Sequence, residues 1–268
     1  MTLRIIAEAG ENHLGNVDRA VEMVRLAAAS GADFIKFQSY SEEDLSPDVP
    51  EETRLWIRRT QLSVDNHYQL RNEAEKRDIT FLSTAVNIKW ARLLRDMGCR
   101  AVKLASLSLT NHALLRFVGE SFEEIFVSTG MGEVGEIDQA LQAVGQRARV
   151  TLLHCVSEYP APDAHVSLLS IPYLHERFGS AVGYSDHTIG LVACIAAVAL
   201  GAELIEKHFT LDKTLEGTDH ILSADPAEMA VLVHGCRRSA TMLGDSQKVP
   251  TEIEKSNRAL MRGLFPEL

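Results

Sequence analysis

The feature that most constrains the fold is an alternation, repeated eight times, of short apolar runs with longer segments of helical period. The runs of strand length are Arg4–Ala9, Phe34–Ser39, Thr80–Ala85, Ala101–Ser106, Ile125–Thr129, Val150–Cys155, Ala181–Ser185 and Leu204–Phe209. Segments such as Val17–Ser30 and Val64–Arg77 carry apolar residues at helical spacing. Strict alternation is typical of a parallel sheet, and eight units in about 250 residues is the size of a TIM barrel. No GxGxxG follows the first strand, as an open dinucleotide-binding sheet would require, so we predict an α/β protein with a (β/α)8 TIM barrel.

Charge and hydropathy exclude several classes of partner. The 268 residues contain 27 Lys and Arg against 37 Asp and Glu, a formal charge of −10, which argues against a broad basic face for nucleic acid. The longest apolar stretch, Val192–Leu200, is too short to span a membrane, and the N-terminal apolar run is interrupted at Glu8, unlike a signal peptide. The four cysteines lie far apart without metal-binding spacing and indicate reduced thiols. We therefore expect a cytoplasmic protein.

Polar side chains stand at the C-terminal end of every predicted strand, where TIM barrels place their chemistry. They are Glu8, Lys36, Gln38, Thr84, Lys103, Ser106, Ser128, Ser157, Tyr159, Ser185, His187, Glu206 and His208. Each has an ordinary structural explanation when taken alone; Glu8, for example, would form a buried ion pair with a lysine. Burying a charged group at a barrel mouth without a partner or a ligand lowers the stability of the folded protein by several kcal/mol. Their convergence at one end therefore indicates a functional site.

The residue types indicate the kind of ligand. Two lysines, Lys36 and Lys103, with several hydroxyl groups suit a phosphate or a carboxylate. His187 and His208, on neighbouring strands, would share a divalent metal with Glu8 or water, and this donor set suits Mn, Fe, Co or Zn better than Mg. Such a metal polarises a carbonyl group. Aldolase-type reactions and phosphate-eliminating condensations both fit these residues.

Eight ordered motifs resemble the sialic acid synthase family over about residues 5–260. They are Ile5–Gly15, Ala32–Gln38, Phe81–Thr84, Ser128–Met131, Leu153–Pro160, Tyr184–Thr188, Glu206–Thr210 and Gly217–His220. The resemblance implies a TIM-barrel enzyme that condenses phosphoenolpyruvate with the open-chain aldehyde of an N-acetylmannosamine-like aldose. Carbon 3 of phosphoenolpyruvate attacks the aldehyde, water adds, and phosphate leaves to give a 2-keto-3-deoxy sugar acid.

The resemblance also implies roles for individual residues. His187 and His208 match ligands of a divalent metal, usually Mn²⁺, and Glu8 matches the acidic group near that metal and the attacking water. The residues that match positions around phosphoenolpyruvate are Lys36, Lys103, Thr84, Ser106, Ser128 and Ser185. Gln38, Tyr159 and Asp219 match positions that line the sugar. Ser157, at the end of the sixth strand, is added as a substrate-binding residue.

Two departures from the family pattern leave the acceptor open. Ser108 stands where family members commonly have a carboxylate near the acceptor. Residues 246–268 resemble the linker to a C-terminal antifreeze-like domain, so we predict a catalytic barrel over residues 1–245 and a tail without that domain. A homodimer is compatible with this arrangement. Alternatives are a synthase for another aldehyde, such as a sugar phosphate, a non-catalytic ligand-binding barrel, and a lyase.

A long connection, Tyr40–Ser63, separates the second strand from its helix. It contains a predicted short helix at Glu52–Arg59. Long loops that follow strands of a barrel lie over the catalytic face, so this connection is interpreted as a lid or a substrate wall.

Overall fold

Eight parallel strands close into a barrel in the computed structural model, which describes residues 3–265. The strands are β1 Arg4–Gly10, β2 Phe34–Ser39, β3 Thr80–Ala85, β4 Ala101–Leu104, β5 Glu124–Ser128, β6 Arg149–Cys155, β7 Ala181–Asp186 and β8 Leu204–His208. Each strand pairs with its neighbours in chain order, and β1 pairs with β8 to complete the circle. The predicted (β/α)8 TIM barrel is confirmed. Strand β4 ends at Leu104, earlier than predicted, because Ser106–Ser108 forms a turn of 3₁₀ helix.

Ten α-helices accompany the barrel within the described residues. They are α1 Val17–Ala29, α2 Glu51–Thr60, α3 Val64–Lys76, α4 Ile88–Asp96, α5 His112–Ser121, α6 Val134–Val144, α7 Ser170–Phe178, α8 Val192–Ala199, α9 Pro226–Leu243 and α10 Glu252–Gly263. Side chains of Asn16, Asn87 and Asn111 accept hydrogen bonds from the first turns of α1, α4 and α5. These caps start the helices directly after the loops of the barrel mouth. Helix α2 confirms the short helix predicted in the Tyr40–Ser63 connection.

Alternation along the strands sorts the side chains into an inner and an outer layer. Outward residues such as Ile5 and Ile35 pack against the helices in the main hydrophobic core. Inward residues form a separate apolar layer that fills the middle of the barrel: Ile6, Phe34, Leu82, Ala101, Phe126, Leu153 and Leu204. Two residues further along a strand, the next inward side chain reaches the C-terminal mouth. Glu8 follows Ile6, and Lys36 follows Phe34, in this way.

The C-terminal tail packs differently from the barrel. Helix α9 buries Met229, Leu232, Val233 and Cys236, whereas α10 has no buried residue. The division at residue 245 stays a prediction, and Met1, Thr2 and residues 266–268, at the two ends of the predicted segments, lie outside the described residues.

Between residues 3 and 265, none of the helices combines the length and the apolar character needed to cross a bilayer.

Candidate active site

A cavity of about 480 Å³ opens at the C-terminal ends of the strands. Twelve of the thirteen residues to which the sequence assigned a role line it: Glu8, Lys36, Gln38, Thr84, Lys103, Ser106, Ser128, Tyr159, Ser185, His187, His208 and Asp219. The structure thus brings together residues that lie up to 211 positions apart in the chain. The exception is Ser157, which is not among the lining residues.

Ser157 lies beside Gly130 and is partly buried. A Cβ atom added at Gly130 would come within 2.5 Å of Ser157 Oγ, 2.8 Å of Ser106 Oγ and 2.9 Å of Cys155 Sγ. A larger residue at position 130 would require these side chains to shift, because real Cβ atoms do not approach so closely. Ser157 therefore packs against the backbone next to Ser106, and its substrate-binding role stays a prediction.

Two lysines and two glutamates form a buried chain of charges at the bottom of the cavity. Lys36 Nζ lies 3.0 Å from Glu8 Oε1 and 3.5 Å from Glu206 Oε1, and Lys103 Nζ lies 3.4 Å from the same Glu206 oxygen. Thr84 accepts a hydrogen bond from Lys36, and Ser185 donates one to Glu206. The ion pair between Glu8 and a lysine, considered from the sequence, is therefore present. It is one link of a longer chain.

Burial and charge separate the protonation of the two glutamates. Burial raises the pKa of Glu8 to about 7, with the Lys36 charge offsetting only part of this effect. Burial also acts to raise the pKa of Glu206, but Lys103 and Lys36 outweigh it and lower that pKa to about 2. Glu206 therefore holds the negative charge between the lysines, while Glu8 exchanges a proton near neutral pH.

Three buried polar atoms at this mouth have no hydrogen-bond partner among the described residues. They are Glu8 Oε2, Glu206 Oε2 and His208 Nδ1. Buried polar groups are normally satisfied, because an unpaired one costs about 1–3 kcal/mol. Their concentration around one cavity indicates groups that a ligand would satisfy.

The two histidines lie side by side at the rim, with ring centroids 5.4 Å apart. His187 Nδ1 donates a hydrogen bond to the Val156 carbonyl oxygen at 2.6 Å, which leaves Nε2 as the free nitrogen. His208 Nδ1 lies 3.4 Å from Asp219 Oδ2. Burial lowers the pKa of His187, and it lowers that of His208 to about 4, so both rings are neutral at neutral pH.

Several residues of the cavity received no role from the sequence. They are Glu11, Val86, Ala105, Leu107, Cys155, Glu206 and Thr218. Glu206 lies two residues before His208 in β8. The alternation of side chains along a strand therefore indicates from the sequence that both lie on the same face. Glu11 follows β1 in a turn, and its position depends on Tyr40 and Trp56, which both donate hydrogen bonds to its carboxylate.

The Tyr40–Ser63 connection is fixed to the mouth by these contacts. Besides the hydrogen bonds from Tyr40 and Trp56 to Glu11, Arg59 on α2 forms an ion pair at 3.0 Å with Glu216 in the loop after β8. The connection therefore backs the wall formed by the β1 and β8 loops. Its interpretation as a substrate wall agrees with these contacts, and closure as a lid stays a prediction.

Comparison with known proteins identifies relatives over nearly the whole chain. The model of the NeuB family matches residues 23–248. An uncharacterized protein of Methanocaldococcus jannaschii is 44% identical over 94% of this chain and 75% of its own length. The N,N'-diacetyllegionaminic acid synthase of Campylobacter jejuni is 38% identical over 96% of this chain and 82% of its own.

A solved structure extends the likeness to three dimensions. The N-acetylneuraminic acid (sialic acid) synthetase of Leptospira borgpetersenii superposes with a TM-score of 0.92 at 32% identity, covering 98% of this chain and 92% of that one. Likeness of this extent in both sequence and structure confirms the resemblance that the sequence motifs indicated. The chain belongs to the NeuB family and is an enzyme of the sialic acid synthase type.

Proposed function

We propose that this protein condenses phosphoenolpyruvate with an N-acetylmannosamine-like aldose to give a 2-keto-3-deoxy sugar acid and phosphate. The observation that carries the proposal is the cavity itself, in which two buried lysines face hydroxyl groups on one side and two neutral histidines on the other. The named relatives, a diacetyllegionaminic acid synthase and a sialic acid synthetase, support this reaction class.

The lysine side of the cavity suits phosphoenolpyruvate. Lys36 and Lys103 are 3% and 2% exposed and point into the cavity, where each supplies a compact positive charge. Hydroxyl groups of Thr84, Ser106, Ser128 and Ser185 surround them. We assign these six residues to the phosphate and carboxylate of phosphoenolpyruvate, because charge-assisted hydrogen bonds to such oxygens are the strong ones.

The histidine side suits a divalent cation, for which we propose Mn²⁺. His187 Nε2 is free, His208 Nδ1 has no hydrogen-bond partner although Asp219 Oδ2 lies 3.4 Å away, and neutral imidazoles are donors for such an ion. Among residues 3–265, no three His, Cys, Asp or Glu side chains are already grouped as a complete metal site, so water or substrate would complete the shell. A bound cation would polarise the aldehyde and balance charge in a cavity that holds four carboxylates and two lysines.

Glu8 is placed to move the proton of the attacking water. Its pKa of about 7 leaves it partly ionised at neutral pH, and its Oε2 is free to accept a hydrogen bond. When carbon 3 of phosphoenolpyruvate forms its bond to the aldehyde carbon, carbon 2 becomes electron-poor. Water then adds to carbon 2 and passes one proton to Glu8, which gives it to the alkoxide formed from the aldehyde oxygen. The bond from carbon 2 to the phosphate oxygen then breaks, and the proton of the hydroxyl group on carbon 2 passes to the departing phosphate, which leaves the 2-keto group.

Aldose-dependent release of phosphate tests the proposal. The protein is freed of metal with EDTA, then mixed with phosphoenolpyruvate and N-acetylmannosamine or other aldoses, with and without Mn²⁺, and the product is identified by mass. We expect phosphate release only with both an aldose and Mn²⁺. Absence of aldose-dependent phosphate across the panel would contradict the proposal and favour a non-catalytic barrel.

Two histidine variants separate the metal from the rest of the mechanism. His208→Ala should weaken Mn²⁺ binding, measured by the electron paramagnetic resonance of free Mn²⁺, at least 100-fold. His234→Ala, on the exposed surface of α9, is the matched control and should bind Mn²⁺ as the unmodified protein does. Equal binding by both variants would rule out His208 as a ligand.

We also propose a cytoplasmic location and a homodimer. Four free cysteines, three of them buried, suit a reducing compartment. Sedimentation of the purified protein would measure the oligomeric state, with a single monomeric species contradicting the dimer.

A further inference from the structure

A buried ion pair joins the ends of β7 and β8 on the side of the barrel wall that faces the helices. Asp186 and Lys207 are register partners in these strands, and Lys207 Nζ lies 2.7 Å from Asp186 Oδ2. Their side chains are 0% and 1% exposed. Because successive side chains of a strand point to opposite faces, the pair lies directly behind the two histidines. Asp186 precedes His187 in the chain, and Lys207 precedes His208.

Asp186 fixes the turn that carries His187 with both of its carboxylate oxygens. Oδ1 accepts a hydrogen bond from the backbone N–H of Thr188 and another from the hydroxyl group of Tyr184, each at 2.9 Å. Oδ2 accepts a third from the hydroxyl group of Thr188 at 3.2 Å, in addition to the bond from Lys207. The residue that follows His187 is therefore bound to the residue that precedes it.

Lys207 holds the same turn from β8. Its Nζ donates a hydrogen bond of 2.6 Å to the carbonyl oxygen of Thr188, so both backbone polar groups of Thr188 are bonded to the ion pair. The His187 carbonyl oxygen accepts a hydrogen bond from the Ala161 N–H at 2.9 Å, and the His187 ring is bonded to Val156. The direction in which His187 Nε2 points thus depends on backbone that the ion pair fixes.

Stability alone does not explain a charged pair at this place. A buried ion pair contributes little net stability, because the cost of removing two charges from water is close to the gain from their attraction. Ile205 and Phe209, which flank Lys207 on the same face of β8, belong to the main hydrophobic core. An apolar side chain at position 207 would fit that core equally well, but it could not bond to Asp186 and to the Thr188 carbonyl oxygen.

We propose that Asp186 and Lys207 are positioning residues, which orient His187 towards His208 for binding of a divalent cation. The inference rests on the proposed function, which assigns the two histidines to the cation, and it adds residues outside the cavity that orient them. Neither member of the ion pair is among the residues that line the cavity. Hydrogen-bonded groups behind a metal ligand commonly change metal affinity 10- to 100-fold.

Binding of Mn²⁺ tests this assignment, measured by the electron paramagnetic resonance of free Mn²⁺, with urea denaturation in EDTA to measure stability. Lys207→Met should raise the Kd for Mn²⁺ at least 10-fold, because the turn that orients His187 loses its bond to β8. Glu124→Gln is the matched control, since it breaks a buried ion pair at the other end of the barrel and should leave this Kd unchanged. An unchanged Kd in folded Lys207→Met would overturn the inference and leave the metal site standing. Absence of Mn²⁺ binding by the unmodified protein would overturn both.

The double variant Asp186→Asn/Lys207→Met keeps the test decisive if the single variant does not fold. Lys207→Met alone leaves a buried carboxylate without its counter-charge, whereas the double variant leaves no buried charge at this place and should regain most of the lost stability. We expect its Kd for Mn²⁺ to stay at least 10-fold above that of the unmodified protein, because the Thr188 carbonyl oxygen still lacks its donor. Recovery of stability and Mn²⁺ affinity together would show that the pair only stabilises the fold, and would overturn the inference.

Discussion

The two ends of the barrel use buried charge in opposite ways. At the N-terminal end, Arg4 donates two hydrogen bonds of 2.8 Å to Glu124, and Arg149 donates a third at 2.9 Å. The Arg4 guanidinium also lies 5.3 Å from the Phe126 ring centroid. At the C-terminal end, Glu8, Glu206 and His208 each keep a buried polar atom without a partner in the described chain.

We infer from this difference that the charged residues at the N-terminal end stabilise the fold, whereas those at the C-terminal end bind a ligand. In the N-terminal cluster both oxygens of the buried Glu124 carboxylate accept hydrogen bonds from arginines. The C-terminal cluster is incompletely satisfied, and unsatisfied buried groups lower stability. The comparison predicts that substitutions at one end reduce stability and leave activity, whereas substitutions at the other end do the reverse.

The largest effect is expected for Lys103→Met. It removes a buried positive charge from the side of the cavity assigned to phosphoenolpyruvate, so kcat/KM for phosphoenolpyruvate should fall about 10³-fold, equivalent to about 4 kcal/mol. Steady-state kinetics measures this loss. Lys89→Met, at an exposed position on α4, should leave the kinetics unchanged. A loss below 10-fold in Lys103→Met would remove the lysine from the substrate site.

Glu8→Gln should give a smaller loss of activity with a gain in stability. Loss of the proton acceptor should lower kcat about 10²-fold. Because burial disfavours the ionised Glu8 at neutral pH, the neutral amide should raise the free energy of unfolding at pH 7 on the order of 2 kcal/mol. Urea denaturation in EDTA measures the gain. A loss of stability would contradict the view that the buried Glu8 carboxylate destabilises the C-terminal end of the barrel.

Glu124→Gln at the opposite end should reverse this pattern. Losing hydrogen bonds from two arginines should lower the free energy of unfolding by about 2 kcal/mol, and kcat/KM should stay within twofold. The adjacent Glu123→Gln, which breaks only an exposed pair with Arg100, is the control and should cost less than about 1 kcal/mol. Loss of activity in a folded Glu124→Gln variant would contradict the expectation that the N-terminal end affects stability and not activity.

The pH dependence of stability should also have opposite signs at the two ends. Burial opposes the ionised Glu124, but Arg4 and Arg149 outweigh it and lower its pKa, so its contribution is present above pH 4.5 and is lost as pH falls further. Glu8 has a raised pKa, so its destabilising effect is absent below pH 4.5 and grows between pH 4.5 and 7. Each slope is at most about 1.4 kcal/mol per pH unit. Urea titrations of the two variants against the unmodified protein should diverge over these separate ranges, and parallel curves would contradict the account.

Much of the fold could be predicted because it depends on local periodicity. The alternation of apolar runs and helical segments defines eight units, and period-2 spacing places Lys36 with Gln38 and Glu206 with His208 on the inner face. Since all strands of a barrel are parallel, their C-terminal ends meet without further information. Residues far apart in the chain could therefore be assigned to one site.

The residues that sequence missed lie in turns, where the direction of a side chain depends on tertiary contacts. Ser108 drew attention as a departure from the family pattern, yet the 3₁₀ turn buries it and directs Leu107 to the cavity. Glu11 reaches the mouth because Tyr40 and Trp56, 29 and 45 residues away, hold its carboxylate. No periodic pattern encodes such contacts.

The most direct test of the division between the two ends is the shift in melting temperature that phosphoenolpyruvate causes. A ligand that binds the folded state raises this temperature, and the rise grows with the logarithm of ligand concentration over Kd, whatever the acceptor sugar is. We predict the full shift in the unmodified protein and in Glu124→Gln, and none in Lys103→Met at the same concentration. A full shift in Lys103→Met, or its loss in Glu124→Gln, would contradict the account.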